Sequence, residues 1–463
     1  MDKANALGEK KISALLWSYS GPAIIGMVVN ALYNVVDSIF VGQGVGEVGL
    51  VAVTIAFPMM MILLGVGMFV GLGSGALISI RLGQKDKEGA ELILGNALSL
   101  VIVLVLVTTA LSLWFLEPML VFLGATPDVM PYAKDFSAII LAGSVFMHVS
   151  FGLNNLIRAQ GDPSTALKTM LIAALLNVIL NPLFIFSFHM GIKGSAWATI
   201  ISQAVASVWV LTYFIKGRGT MQLKGKNLKI RFDIVSEIAR IGMAPFLLQV
   251  GASLVMVVLN FKLLNYGGVL AIAAYGIVGR VMMLLLMPVM GISQGAQPII
   301  GYNFGAGNYR RVIEVVKLAT AAATGFCVLG FLIIQVFDEQ IVRLFNGNLE
   351  LVRLGSTGLR LYLLFLPIIG FQLIGANYFQ AVGKAGYAIV FNLLRQIILL
   401  IPMVYILSSF FGLTGIWLAG PVSDLGASLV TAWFMVKEMK KLALRSNLQL
   451  TQERKGETCI DEK

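Results

Sequence analysis

Apolar residues gather into twelve long runs separated by short polar stretches. The runs cover about 14–40, 50–79, 92–115, 132–156, 165–188 and 192–215, then 237–263, 269–301, 313–336, 357–380, 386–410 and 413–436. Each is long enough to cross a hydrocarbon core of roughly 30 Å as a helix rising about 1.5 Å per residue. Lipid offers no backbone partners, so a spanning segment must be a helix or part of a closed barrel. Alternating ten-residue patterns are absent, which predicts twelve transmembrane helices.

The runs form two sets of six. Pro22 falls on Pro245, Asp37 on Asn260, Gly73 on Gly295, Gly83 on Gly305 and Gly194 on Gly415, at an offset of 221 to 223. A duplication of half the chain, with an even number of spans per copy, predicts an all-α membrane protein. Its two six-helix lobes would be related by a pseudo-two-fold axis along the membrane normal. The expected organisation is an N-terminal lobe over 1–215, a cytoplasmic linker over 216–236, a C-terminal lobe over 237–441 and a loosely ordered cytoplasmic tail over 442–463.

Composition supports this reading: 58% of residues are hydrophobic, 12% are charged and mean hydropathy is +0.88. The net charge of +11 follows the loops, so it marks membrane topology rather than nucleic-acid binding. One set of loops and ends carries 26 Lys and Arg against 5 on the other, with Lys262, Arg280 and Arg395 inside spans. That asymmetry predicts a multi-pass protein of the cytoplasmic (inner) membrane with both termini in the cytoplasm. Cys327 lies in an apolar run and Cys459 in the tail, so no disulfide is expected.

The chemistry suggests transport rather than catalysis. No phosphate loop occurs, since Gly383-Lys384 is followed by Ala385; His148 and His189 are not spaced as metal ligands; no nucleophile–base pair is visible. An ion gradient remains as the energy source, with a proton or sodium ion as coupling ion and no organic cofactor.

Asp37, in the first span, is the sharpest polar feature. A carboxylate there is costly unless it is neutral, paired or wet, which suits a proton carrier or an oxygen ligand for a cation. Asn177 and Asn181 are four apart on one face of the fifth span, and Thr199 reaches a similar depth in the sixth. These four form the expected coupling site, and would be the metal ligands if sodium is the ion; interhelical packing is the competing role. Asp424, in the twelfth span, is a second deep acid, serving a further site or pairing with Arg395. Lys262 and Arg280 read as partners within the lobe or as cavity-lining charge rather than as substrate ligands. Tyr33, Met61, Tyr275, Met283 and Met287 are the expected substrate contacts, the methionines belonging to clusters in the second and eighth spans.

The segments LYNVVDSIFVGQGVG (Leu32 to Gly46) and AQPIIGYNFGAGNYRR (Ala296 to Arg311), with AQGDP, NVILNP and AVGKA, give the chain a resemblance along nearly its whole length. It resembles the multidrug and toxic compound extrusion (MATE) family, most of all its bacterial MepA-like branch. The resemblance implies two lobes forming a V that opens alternately to each side. It also implies export of amphipathic, often cationic organic compounds against protons or sodium ions, with Asp37, Asn177, Asn181 and Thr199 in the ion site. Some relatives have an acid where this chain has Asn181. Others carry acids in the seventh and tenth helices, where this chain has none between Ile241 and Asn265 or between Thr357 and Gln380. The expected protein is an ion-coupled antiporter, a monomer whose partners are small organic molecules and the bilayer. A flippase for lipid-linked precursors is the rival reading, weakened by the scarcity of basic residues inside spans.

Overall fold

Each apolar run closes its backbone hydrogen bonds as a helix in the computed structural model, which describes residues 5–345 and 348–460, the side chains of Asn34 and of 450–460 excepted. Lys3 and the last three residues of the expected tail lie outside these. The first six spans are α1 (Ile12–Gly44), α2 (Glu47–Gly83), α3 (Lys87–Trp114), α4 (Met130–Ala159), α5 (Pro163–Pro182) and α6 (Ile192–Ile215). A helical run of 74 residues follows, Phe232–Gly305. It would reach roughly 110 Å if straight, far more than one crossing needs. Gly268 divides it: φ +66° and ψ −164° lie outside helical space, in a region glycine tolerates. The two parts are α7 (232–267) and α8 (269–305). Then come α9 (Tyr309–Arg343) and α10, made of Leu349–Tyr362 and Leu366–Ala381 bent by 51°. Pro367 stands at the start of the second piece, where its missing N–H costs no helical bond. A last break at Gly412 (φ +57°) separates α11 (385–411) from α12 (413–460). Twelve membrane-crossing segments result.

Two features depart from expectation. Leu116–Phe122 is a separate short helix between α3 and α4. The stretch after Lys441 is helical to Ile460 rather than loosely ordered. Its leading part, KLALRSNLQLTQER, consists largely of helix formers and contains no Gly or Pro.

The chain divides into two compact units, one of Gly21–Leu82 and Asp86–Ser253, the other of Asn5–Ser20, Gly83–Lys85 and the chain from Leu254 on. In the first, Gly67, Gly71 and Gly75 recur every fourth residue on α2 and let α4 approach closely. A Cβ on Gly71 would stand 3.0 Å from the Gly152 Cα. Buried His148 ties the same helices, its Nδ1 2.7 Å from the Ser144 carbonyl and its Nε2 2.6 Å from that of Leu63. The linker is pinned to α3: Asn96 accepts from the Arg231 N–H at 2.7 Å, and buried Glu91 pairs with Lys224. In the second unit, Leu7 of a short N-terminal helix is fully buried, and its carbonyl accepts from Asn303 at 3.0 Å.

Candidate functional site

The residues of the expected coupling site converge in the first unit. Proline shapes α5 there. Pro182 lacks an N–H, and the helix relaxes into a π turn over Leu183–Ser187 immediately after it. Asn181, just before the proline, is fully buried, and Asn177 one turn earlier is 2% exposed. The Asn181 amide donates to Asp37 Oδ1 and reaches the Asn177 Oδ1 at 3.3 Å. The Asn177 amide donates in turn to Thr199 Oγ1 at 3.0 Å. Asp37, Asn177, Asn181 and Thr199 therefore form one hydrogen-bonded chain across α1, α5 and α6.

A fifth member was not expected. Ser195 Oγ donates to the same Asp37 oxygen at 2.9 Å and is fully buried. Its signal was present in the sequence, because Ser195 precedes Thr199 by four and shares its helical face.

Two properties give this cluster chemical capacity. Among the described residues no Lys or Arg pairs with Asp37, which accepts from a neutral amide and a neutral hydroxyl. Asn181 Oδ1 is buried without a hydrogen-bond partner. A buried acceptor left open is costly unless something fills it. A proton on Asp37 or a monovalent cation among these oxygens would relieve that cost. The donor set is oxygen-only with a single carboxylate, which suits a hard monovalent ion rather than a transition metal. Among the described residues no cluster of three His, Cys, Asp or Glu forms a metal site.

The second unit holds a different polar centre. Arg395 Nε donates to Asp424 Oδ1 at 2.6 Å, and both side chains are largely buried. Of the two roles open to Asp424, this geometry is that of the ion pair. Tyr275 stands edge-on to Tyr362 with ring centroids 5.8 Å apart and is tilted against Trp417 at 6.3 Å. Lys262 lies 4.1 Å over the Tyr405 ring.

The expected substrate contacts divide between the units. Tyr33 is half-buried one turn before Asp37, and Met61 Sδ accepts from Gln249 at 3.2 Å in the first. In the second, Tyr275 belongs to the aromatic cluster, Met283 is 59% exposed and Met287 is 9% exposed.

A family model, MatE, matches residues 22–183 and 243–406. The multidrug export protein MepA of Staphylococcus aureus (strain MSSA476) is 29% identical over 86% of this chain and 88% of its own length. A solved structure of the MATE multidrug transporter DinF-BH is 39% identical, with a TM-score of 0.86 over 92% of this chain and 95% of that one. A MATE crystal structure in a bent conformation reaches a TM-score of 0.91 at 24% identity, a likeness of fold.

Proposed function

Because the chain belongs to the MatE family of ion-coupled exporters, we propose that it expels amphipathic, often cationic organic compounds by alternating access in exchange for a proton or sodium ion. Asp37 is the coupling group, and Asn177, Asn181, Ser195 and Thr199 hold it and supply further oxygens. The observation that carries this reading is an intramembrane carboxylate held by neutral donors beside the open Asn181 Oδ1. An uncompensated acid in a membrane helix marks an ion pathway by default. The curated name of MepA and the description of DinF-BH support a multidrug substrate range. Tyr33, Met61, Tyr275, Met283 and Met287 supply substrate contacts, aromatic and thioether groups that adapt to varied apolar shapes.

Coupling follows from competition and state preference. An ion on Asp37 neutralises the site, and a cationic substrate gains least when the carboxylate is already compensated. An ion that favours one access state and a substrate that favours the other exchange across the membrane. The excess of Lys and Arg on one set of loops supports an orientation in the inner membrane with both termini in the cytoplasm.

The test is uphill dye transport by the purified protein in proteoliposomes under a proton gradient or a sodium gradient imposed separately. One gradient should drive accumulation of a lipophilic cationic dye. Asp37→Asn should still bind the dye and fail to accumulate it; undiminished pumping by that variant would remove Asp37 from the mechanism. For orientation, Asp128→Cys should react with an impermeant thiol reagent from outside, and Gly225→Cys only after the membrane is opened.

A further inference from the structure

Arg280 stands midway along the apolar run Val269 to Ile292 of α8, which holds no other charge. It lies roughly 18 Å along the helix from the Gly268 break and roughly 38 Å from Gly305. The side chain is nevertheless exposed, and among the described residues no carboxylate pairs with it. The other two intramembrane cations of this unit are engaged, Lys262 over Tyr405 and Arg395 with Asp424.

The exposure follows one stripe of α8. Ala273, Gly276, Arg280, Met283 and Leu284 are exposed, at spacings of three and four that share a helical face. Ala271, Ala274, Val278 and Val281, on the other side, are at most 7% exposed. A guanidinium is a permanent cation in proteins, and an unpaired one at this depth is costly against hydrocarbon and almost always faces a bundle interior or a water-filled cavity. That cost argues for a stripe that fronts water. There is also room beside the charge: a Cβ on Gly276 or on Gly279 would meet nothing within 4 Å. An open apolar surface with one planar, five-donor cation suits an amphipathic ligand that carries an oxyanion.

We propose that Arg280 is a specificity-determining residue that recognises a carboxylate or sulfonate on an amphipathic substrate. The inference rests on the exporter reading above. A fixed positive charge on the aqueous face disfavours a simple lipophilic cation, whereas a carboxylate on the same scaffold forms a bidentate, charge-assisted hydrogen-bonded pair with the guanidinium.

The test compares two dyes that differ at one group: rhodamine 6G, an ethyl ester with net positive charge, and its free acid, a zwitterion. Transport is measured in proteoliposomes of zwitterionic lipid, and again with phosphatidylglycerol added, for the unmodified protein, Arg280→Gln and Arg280→Lys at matched protein levels. The unmodified protein should move both dyes. Arg280→Gln should raise the half-saturating concentration of the free acid about tenfold, the loss of one charge-assisted bond, and leave the ester within about twofold. Arg280→Lys should fall between. Equal changes for both dyes, no transport of the free acid by the unmodified protein, or an effect that follows anionic lipid rather than the dye's carboxylate would each overturn the proposal. The ester arm separates the two readings. If the ester is not moved at all, the exporter reading fails; if it is moved and Arg280→Gln does not discriminate, only the role of Arg280 fails.

Discussion

Each unit sets an acid within a membrane span, half-buried Asp37 in one and buried Asp424 in the other, and the two meet the same electrostatic problem in opposite ways. Asp424 has a guanidinium at 2.6 Å, so its charge is compensated within the fold. Asp37 has only neutral donors, from Asn181 and Ser195, and its neighbourhood leaves an acceptor open. A buried ion pair holds helices in register and leaves no charge to trade; an acid without a counter-charge must find one from outside the fold. The duplicated halves also differ around these acids. At the offset of the repeat, Ser195 falls on Ile416, Thr199 on Gly420 and Asp424 on Gln203. On the proposed function, one copy would hold the ion-exchange centre and the other a structural clamp.

The comparison is broken most sharply by neutralising each acid. Asp37→Asn should bring gradient-driven transport to background while the apparent melting temperature in detergent stays near that of the unmodified protein. Asp424→Asn should do the reverse, because it strands a buried guanidinium. A loss of about 3–5 kcal/mol of stability is expected, read as a lowered melting temperature and poor membrane yield. Asp424→Leu combined with Arg395→Met should recover the melting temperature and retain transport. If the double variant folds well and does not pump, Asp424 belongs to the transport chemistry and the contrast collapses.

Finer changes test how the Asp37 cluster is held. Asn181→Ala removes both the bond to Asp37 and the open Oδ1, and should slow transport about tenfold or more. Asn181→Asp keeps the oxygens and should be milder. Ser195→Ala removes one bond of the set and should cost about threefold to tenfold in rate, with recovery in Ser195→Thr. If Ser195→Ala shows no change in rate at any ion concentration, the serine only packs against α1.

Much of this contrast was legible in the residues because helical geometry is local. Counting 1.5 Å per residue from the span ends brought Asp37, Asn177, Asn181 and Thr199 to one depth. All twelve runs recur as spans, with Gly268 and Gly412 marking breaks where apolar character alone runs on. Ser195 was overlooked although its spacing of four from Thr199 puts both on one helical face, because a hydroxyl near a span end stands out less than a carboxylate or a pair of amides. The Asp424–Arg395 pair could not be chosen from sequence. It depends on the register between α11 and α12, and a π turn over Leu394–Leu400 shifts that register at Arg395 itself. The helical backbone to Ile460 was not foreseen, because the charge of this stretch drew more attention than its run of helix formers.

The amide at position 181 has an electrical consequence. With Asn181 rather than a second acid beside Asp37, the proposed coupling centre holds a single carboxylate, enough to balance one monovalent ion. Exchange of that ion for a monocation moves no net charge across the bilayer, so the cycle draws on the concentration gradient alone. Exchange for a zwitterion moves one charge and adds the voltage term, about 2.3 kcal/mol per 100 mV. On the proposed mechanism, one side chain would set which component of the cell's electrochemical potential powers the export of each kind of molecule.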